Sequence, residues 1–246
     1  MGDKKKNKKA KKEKNSESSR VYRVAYALLA GIVGKLFRIH VTGRENEPDE
    51  GGFIVCANHT SATDPVVLCY AFRKHQVRFM AKKELFKVPV VSSIVRMLGA
   101  FPVDRGGSDV GAIKKSVAMV KEGKCMGIFP QGHRYKVVDP RTTPKKNGAA
   151  LIAVKSEATV IPAYIVRKKN SFKFFRKTWV IIGEPIPFSD LGYDPEANGE
   201  YARITDTVFD RICTLGEGFN EKAAKAHNKE MKKKKKAEKK AARAKG

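Results

Sequence analysis

Phe53-Ile54-Val55-Cys56-Ala57-Asn58-His59-Thr60-Ser61-Ala62-Thr63-Asp64-Pro65-Val66-Val67-Leu68-Cys69-Tyr70-Ala71-Phe72 changes character twice in one short stretch. Residues 53–57 are continuously apolar, as in a strand buried on both faces. A polar step follows at 58–64, and residues 66–72 are then apolar all round, as a buried helix is. Aspartate is a favoured N-cap and proline suits the first helical position. Asp64 is therefore expected to open the helix, with His59 on a strand-to-helix turn. Five residues along a straight helix set two side chains roughly 140° apart, so only a turn lets His59 and Asp64 meet. A neutral imidazole can take a proton from a hydroxyl, and a carboxylate can hold its tautomer and stabilise the resulting cation. The pair offers a general base with an orienting acid, while no activated nucleophile stands out. A capping aspartate beside a loop histidine bonded to the backbone accounts for the same residues.

Strand and helix signals alternate outward from this stretch. Short strands are expected at 37–42, 77–81, 100–103, 124–129, 159–166 and 178–182. Helices are expected at 82–98 with a break at Pro89, at 109–122, at 148–156 and at 195–215. This alternation predicts an α/β fold with a mixed, largely parallel sheet flanked by helices. Residues 130–147 read as a long basic functional loop. In such sheets chemistry gathers on loops at the carboxyl ends of strands. Three loops qualify: 58–64, 104–108 and 130–134.

The formal net charge is +26, and 41% of the 246 residues are hydrophobic. Residues 1–20 hold nine Lys/Arg against three Asp/Glu, and residues 221–246 hold twelve against three. With almost no large apolar side chains, both tails are expected to be solvated, or helical without a core of their own. The domain boundaries expected are 1–20 for a basic disordered tail, 21–38 for an apolar helix, 39–220 for the folded domain and 221–246 for a lysine-rich tail. Between Val24 and Gly34 the chain carries no charge for 11 residues. A spanning helix needs about 20. Tyr22, Tyr26 and Phe37 suit an interfacial membrane helix, and the lysine tails suit an anionic leaflet. A soluble helix packed on the domain is the alternative. No secretory signal is visible, and Lys6 stands where a myristoylation motif wants Ser or Thr. Cys56, Cys69, Cys125 and Cys213 are widely spaced and lack metal-site or redox spacing, which suits buried, reduced thiols. Nucleic-acid binding is a rival reading of the charge, but interleaved aromatics and recognised binding motifs are missing.

Two further loops carry chemistry. Phe129-Pro130-Gln131-Gly132-His133-Arg134 follows a strand, and Phe101-Pro102-Val103-Asp104-Arg105 holds a second arginine. Glycine lets backbone approach a ligand, and arginine can grip phosphate with two parallel hydrogen bonds. Lys82 and Lys145 add point charge. Taken in order, four blocks resemble those of the glycerophosphate acyltransferase family, in particular its 1-acyl-sn-glycerol-3-phosphate (lysophosphatidic acid) branch. They are Asn58-His59 with Asp64, Gly99 to Arg105, Phe129 to Arg134, and Val160-Ile161-Pro162-Ala163. The stretch Ala81 to Phe86 also matches, and the resemblance covers about residues 37–190.

The resemblance implies acyl transfer from a thioester to a glycerol hydroxyl without an acyl-enzyme. His59 and Asp64 would be catalytic. Lys82, Arg105, Gln131, Gly132 and Arg134 would bind substrate. It implies no metal and no cofactor beyond the cosubstrate, an acyl carrier protein or coenzyme A thioester. It implies an enzyme peripheral or monotopic at the cytoplasmic face of an anionic membrane. Gln131 departs from the family's usual glutamate and His133 from its usual threonine, which bears on acceptor preference. His133 reads as a solvent-facing loop residue.

Overall fold

The computed structural model describes residues 31–103 apart from 32, 110–167 and 176–243. The 1–20 tail, most of the 21–38 stretch, Asp104 and Arg105 lie outside the described residues. Seven strands form one sheet: β1 (Ile39–Thr42), β2 (Ile54–Ala57), β3 (Val77–Lys82), β4 (Phe101–Val103), β5 (Cys125–Ile128), β6 (Val160–Arg167) and β7 (Thr178–Ile182). Their order is β1-β7-β6-β2-β5-β3-β4. Every neighbouring pair is parallel except β6 with β7. This is the mixed, largely parallel sheet that the alternation predicts.

Among the described residues, the helices that follow the first strand are α1 (Asp64–Ala71), α2 (Pro89–Met97), α3 (Val110–Lys121), α4 (Gly148–Ser156), α5 (Glu200–Glu217) and α6 (Glu221–Arg243). The central strands β2 and β5 are buried at every position. Alternate residues of a strand point to opposite faces, and this splits the interior into two layers. Ile54, Cys56, Met126, Ile128 and Val160 join a core with α3, α4 and α5. Phe53, Val55, Ala57, Ile161 and Ile165 join another with α1. A continuous apolar run is required because both faces are covered.

Two elements differ from expectation in ways that have physical causes. The closing helix starts at Glu200 rather than 195, because Gly199 adopts a left-handed backbone (φ 81°) just before it. The lysine-rich tail is helical, but its first turns dock. Ala224 is buried, the Asn228 side chain donates to the Val41 carbonyl at 2.9 Å, and Lys177 pairs with Glu221 at 2.8 Å. Of the apolar stretch 21–38, the described end is helical at 33–36. Val33, Leu36 and Phe37 pack against the α1 layer there.

Candidate active site

Parallel pairing brings the carboxyl ends of β2, β3, β5 and β6 to one edge of the sheet. The chain leaves that edge at Asn58, at Lys83, at Phe129 and after Arg167. Asn58 anchors the first loop. Its side chain accepts from the Ile165 amide at 2.7 Å and donates to the Ile165 carbonyl at 3.2 Å, so it pairs with β6 as a further strand residue would.

Asp64 is fully buried and organises the turn behind it. Its Oδ2 lies 2.8 Å from His59 Nδ1 and accepts from the Thr60 and Ser61 amides at 2.7 and 2.8 Å. Its Oδ1 accepts from Arg167 Nη1, which also donates to Thr60 Oγ1 at 2.9 Å. Asp64 is not the N-cap. Thr63 occupies that position, with Asp64 and Pro65 inside the first turn. The carboxylate bends back toward 59–61 because three donors converge there. Burial pushes the Asp64 carboxyl up, but the hydrogen bond with His59 and the Arg167 charge outweigh it and hold it below its ordinary value. An ionised carboxylate only accepts, so His59 donates through Nδ1, and the neutral ring carries its lone pair on Nε2.

The loop after β5 holds His59 from the other side. The His59 amide donates to Gln131 Oε1 at 2.6 Å, and the Tyr135 amide donates to the His59 carbonyl at 2.9 Å. Gln131 Nε2 donates to Thr143 Oγ1 at 2.8 Å, whose hydroxyl donates onward to the Pro140 carbonyl at 2.6 Å. Gln131 is 2% exposed. Both heads of its amide, expected to bind substrate, are hydrogen-bonded within the protein. The imidazole stacks on Phe129 with centroids 4.0 Å apart and planes 13° apart, and Phe129 stacks on Phe79 at 5.6 Å. Gly127 makes room for this column. A Cβ there would stand 2.1 Å from Phe79 Cε1.

His59 lines an open groove of about 1170 Å³ between the sheet edge, α3 and α4. Val103, Ile113, Val117, Phe129 and Leu151 supply apolar wall, and the exposed Lys114, Lys121, Lys146 and Lys155 border it. Gly132 also lines the groove. Its φ of 68° and the Lys146 stem, 3.0 Å from where a Cβ would sit, both call for glycine. His133 is exposed and lines the groove as well. Arg134 is exposed on the same loop, and Lys82 ends β3, 3.7 Å from Glu84. Neither touches the groove wall. Lys145, on the loop after β5, pairs with Asp206 of α5 at 3.0 Å. Among the described residues no cluster of His, Cys, Asp and Glu has the makings of a metal site.

Sequence reasoning missed Arg167 and Thr143. Arg167 lies 103 positions from Asp64, and a charged residue ending a strand reads as solvent-facing, while Thr143 meets Gln131 only because the loop that carries both folds back. The one available signal for Arg167 is its place at the end of the otherwise apolar strand that pairs with β2.

Comparison with known proteins bears on the same segment. A family model described as Acyltransferase matches residues 38–166. A 1-acyl-sn-glycerol-3-phosphate acyltransferase of Bacillus subtilis is 32% identical over 179 residues, covering 72% of this chain and 87% of its own. One of that name from Streptococcus pneumoniae is 30% identical over 224 residues, covering 84% and 77%. Among solved structures, the 1-acyl-sn-glycerophosphate (LPA) acyltransferase PlsC from Thermotoga maritima superposes with a TM-score of 0.55 at 26% identity, covering 74% of each chain.

Proposed function

This chain belongs to the acyltransferase family, and we propose that it transfers a fatty acyl group from an acyl thioester to the sn-2 hydroxyl of 1-acylglycerol 3-phosphate, giving phosphatidic acid. The observation that carries this is the 2.8 Å contact between His59 Nδ1 and a buried, ionised Asp64 at the mouth of an apolar groove. His59 Nε2 takes the proton of the acceptor hydroxyl as its oxygen attacks the thioester carbonyl. Asp64 stabilises the imidazolium that forms. Collapse of the tetrahedral intermediate expels the thiolate, which recovers the proton from His59. No acyl-enzyme is needed, and no cysteine lines the groove.

The remaining roles rest on the matching motif positions. Arg134, Lys82 and Arg105 hold the acceptor's phosphate by charge, Arg105 lying outside the described residues. The backbone around Gly132 takes the polar end of the substrate. Gln131 acts beneath the site by fixing the His59 peptide. The donor is an acyl carrier protein or coenzyme A thioester, and its chain lies in the groove. A lipid acceptor and lysine-rich ends favour an anionic membrane, peripherally at its cytoplasmic face. No described helix is long and apolar enough to cross a membrane.

The test supplies purified protein with lysophosphatidic acid and each donor in turn, and follows lipids by mass spectrometry. Phosphatidic acid carrying the donor's acyl chain is expected. Acylation of a different lysophospholipid in its place overturns the acceptor assignment.

A further inference from the structure

The surface that departs most from an ordinary soluble exterior is α2 and the turn before it. Leu85, Val88, Val90, Ile94 and Met97 are 39–72% exposed, and α2 has no buried residue. Val90, Ile94 and Met97 follow i, i+4, i+7 spacing, so they form one stripe on the helix. Apolar groups of this size, gathered on one short segment, mark a docking surface rather than scattered exposure.

Charge says what docks. Lys83, Lys87 and Arg96 stand on the same segment against Glu84 alone, beside Lys82. The Arg96 guanidinium lies 5.2 Å over the Phe86 ring, which ties the basic end of α2 to the turn. Place matters as much. The turn leaves the sheet at the carboxyl end of β3, the edge that also carries His59 and the 129–134 loop. An apolar stripe with basic neighbours is the pattern of an element seated in the headgroup region of an anionic leaflet.

We propose that residues 83–97 form a membrane-docking element, with Leu85, Val88, Val90, Ile94 and Met97 entering an anionic bilayer beside the active-site edge. This rests on the lipid acceptor proposed above and adds a contact distinct from 21–38. It seats the catalytic edge on the bilayer that holds the acceptor. The acceptor hydroxyl then needs to rise only as far as the headgroup layer to reach His59.

The four native cysteines are buried, so a Val90→Cys variant of the full chain takes an environment-sensitive fluorophore at one place. Vesicles containing phosphatidylglycerol should shift its emission to the blue and brominated lipid should quench it. Vesicles of phosphatidylcholine alone should do so at least tenfold more weakly. In parallel, Val90→Asp/Ile94→Asp should slow acylation of vesicle-embedded acceptor at least tenfold. The same variant should leave a short-chain, monomeric acceptor unaffected. Three results overturn the proposal. The probe could remain aqueous while the protein sediments with vesicles, which would assign binding to another segment. It could be apolar before lipid is added, which would mean another part of the chain or a second copy covers the stripe. The variant could lose activity equally on both acceptors, which would make the stripe a folding element. If the unaltered chain acylates neither acceptor, the acyltransfer reading fails instead, and the probe alone decides docking.

Discussion

Arg167 and Asp64, 103 positions apart, form a buried ion pair that locks the end of β6 to the start of α1. The same Arg167 nitrogen bridges to Thr60, so the turn carrying His59 is clamped from below. Removing one member of a buried pair leaves the other charged and uncompensated, at a cost of about 3–5 kcal/mol. Arg167→Met should therefore destabilise the fold by that order and lower kcat. Arg167→Lys keeps charge but loses the planar fork, and should fall between the two.

The sign of the pH effect follows. With its folded pKa depressed, Asp64 contributes stability that is complete above its unfolded pKa of about 4 and is lost as pH falls through the lower folded value. Arg167→Met raises the folded value, so acid unfolding should begin at higher pH. Circular dichroism across an acid titration of both proteins measures this, and unchanged acid midpoints would contradict the ion pair's role.

Gln131 makes a different kind of contribution. Gln131→Ala strips the His59 amide of its acceptor, a loss of about 1–3 kcal/mol for a buried group left unsatisfied, while the Thr143 hydroxyl keeps its bond to the Pro140 carbonyl. Gln131→Glu can keep both contacts if the Thr143 hydroxyl turns from the Pro140 carbonyl to the new carboxylate. Glutamate should thus retain most activity while alanine loses at least tenfold in kcat. A change in acceptor preference with unaltered kcat in either variant would put the side chain on substrate instead.

Arg134 is expected to act on the acceptor. Arg134→Ala should raise the KM for lysophosphatidic acid more than the KM for the acyl donor, read from two-substrate kinetics. Equal changes in the two constants would argue against phosphate recognition by this side chain.

The cysteines should be silent. Burial pushes the thiols of Cys56 and Cys69 up to about 12, and those of Cys125 and Cys213 up to about 11. The thiolate is the reactive form, so at pH 8 native protein should react with an aromatic disulfide reagent at less than one thiol and keep its activity. Denatured protein should expose all four. Rapid loss of activity on thiol modification would point to a cysteine in the chemistry.

The legibility of this molecule followed the range of its interactions. β2 and β5 were readable because burial on both faces demands an unbroken apolar run, a property of a few adjacent residues. His59 and Asp64 were readable because one turn joins them. Arg167 was not, because nothing local distinguishes a strand-end arginine facing water from one under a carboxylate. The burial of Gln131 depends on Thr143, which the 130–147 loop folds back to meet it. The docking of α6 depends on Val41 and Lys177, from opposite parts of the chain. The exposure of the α2 stripe was not readable, since periodicity reports that a face is apolar and not what covers it.

The central claim is that His59 deprotonates the acceptor directly. It is tested by kcat of His59→Ala with saturating lysophosphatidic acid and thioester donor, alongside intact-protein mass after exposure to donor alone. A positioned general base contributes about 10²–10⁴-fold. A loss in that range, with no mass added to the native protein, is the result expected. Near-native turnover in the variant, or a protein carrying an acyl group, would contradict it.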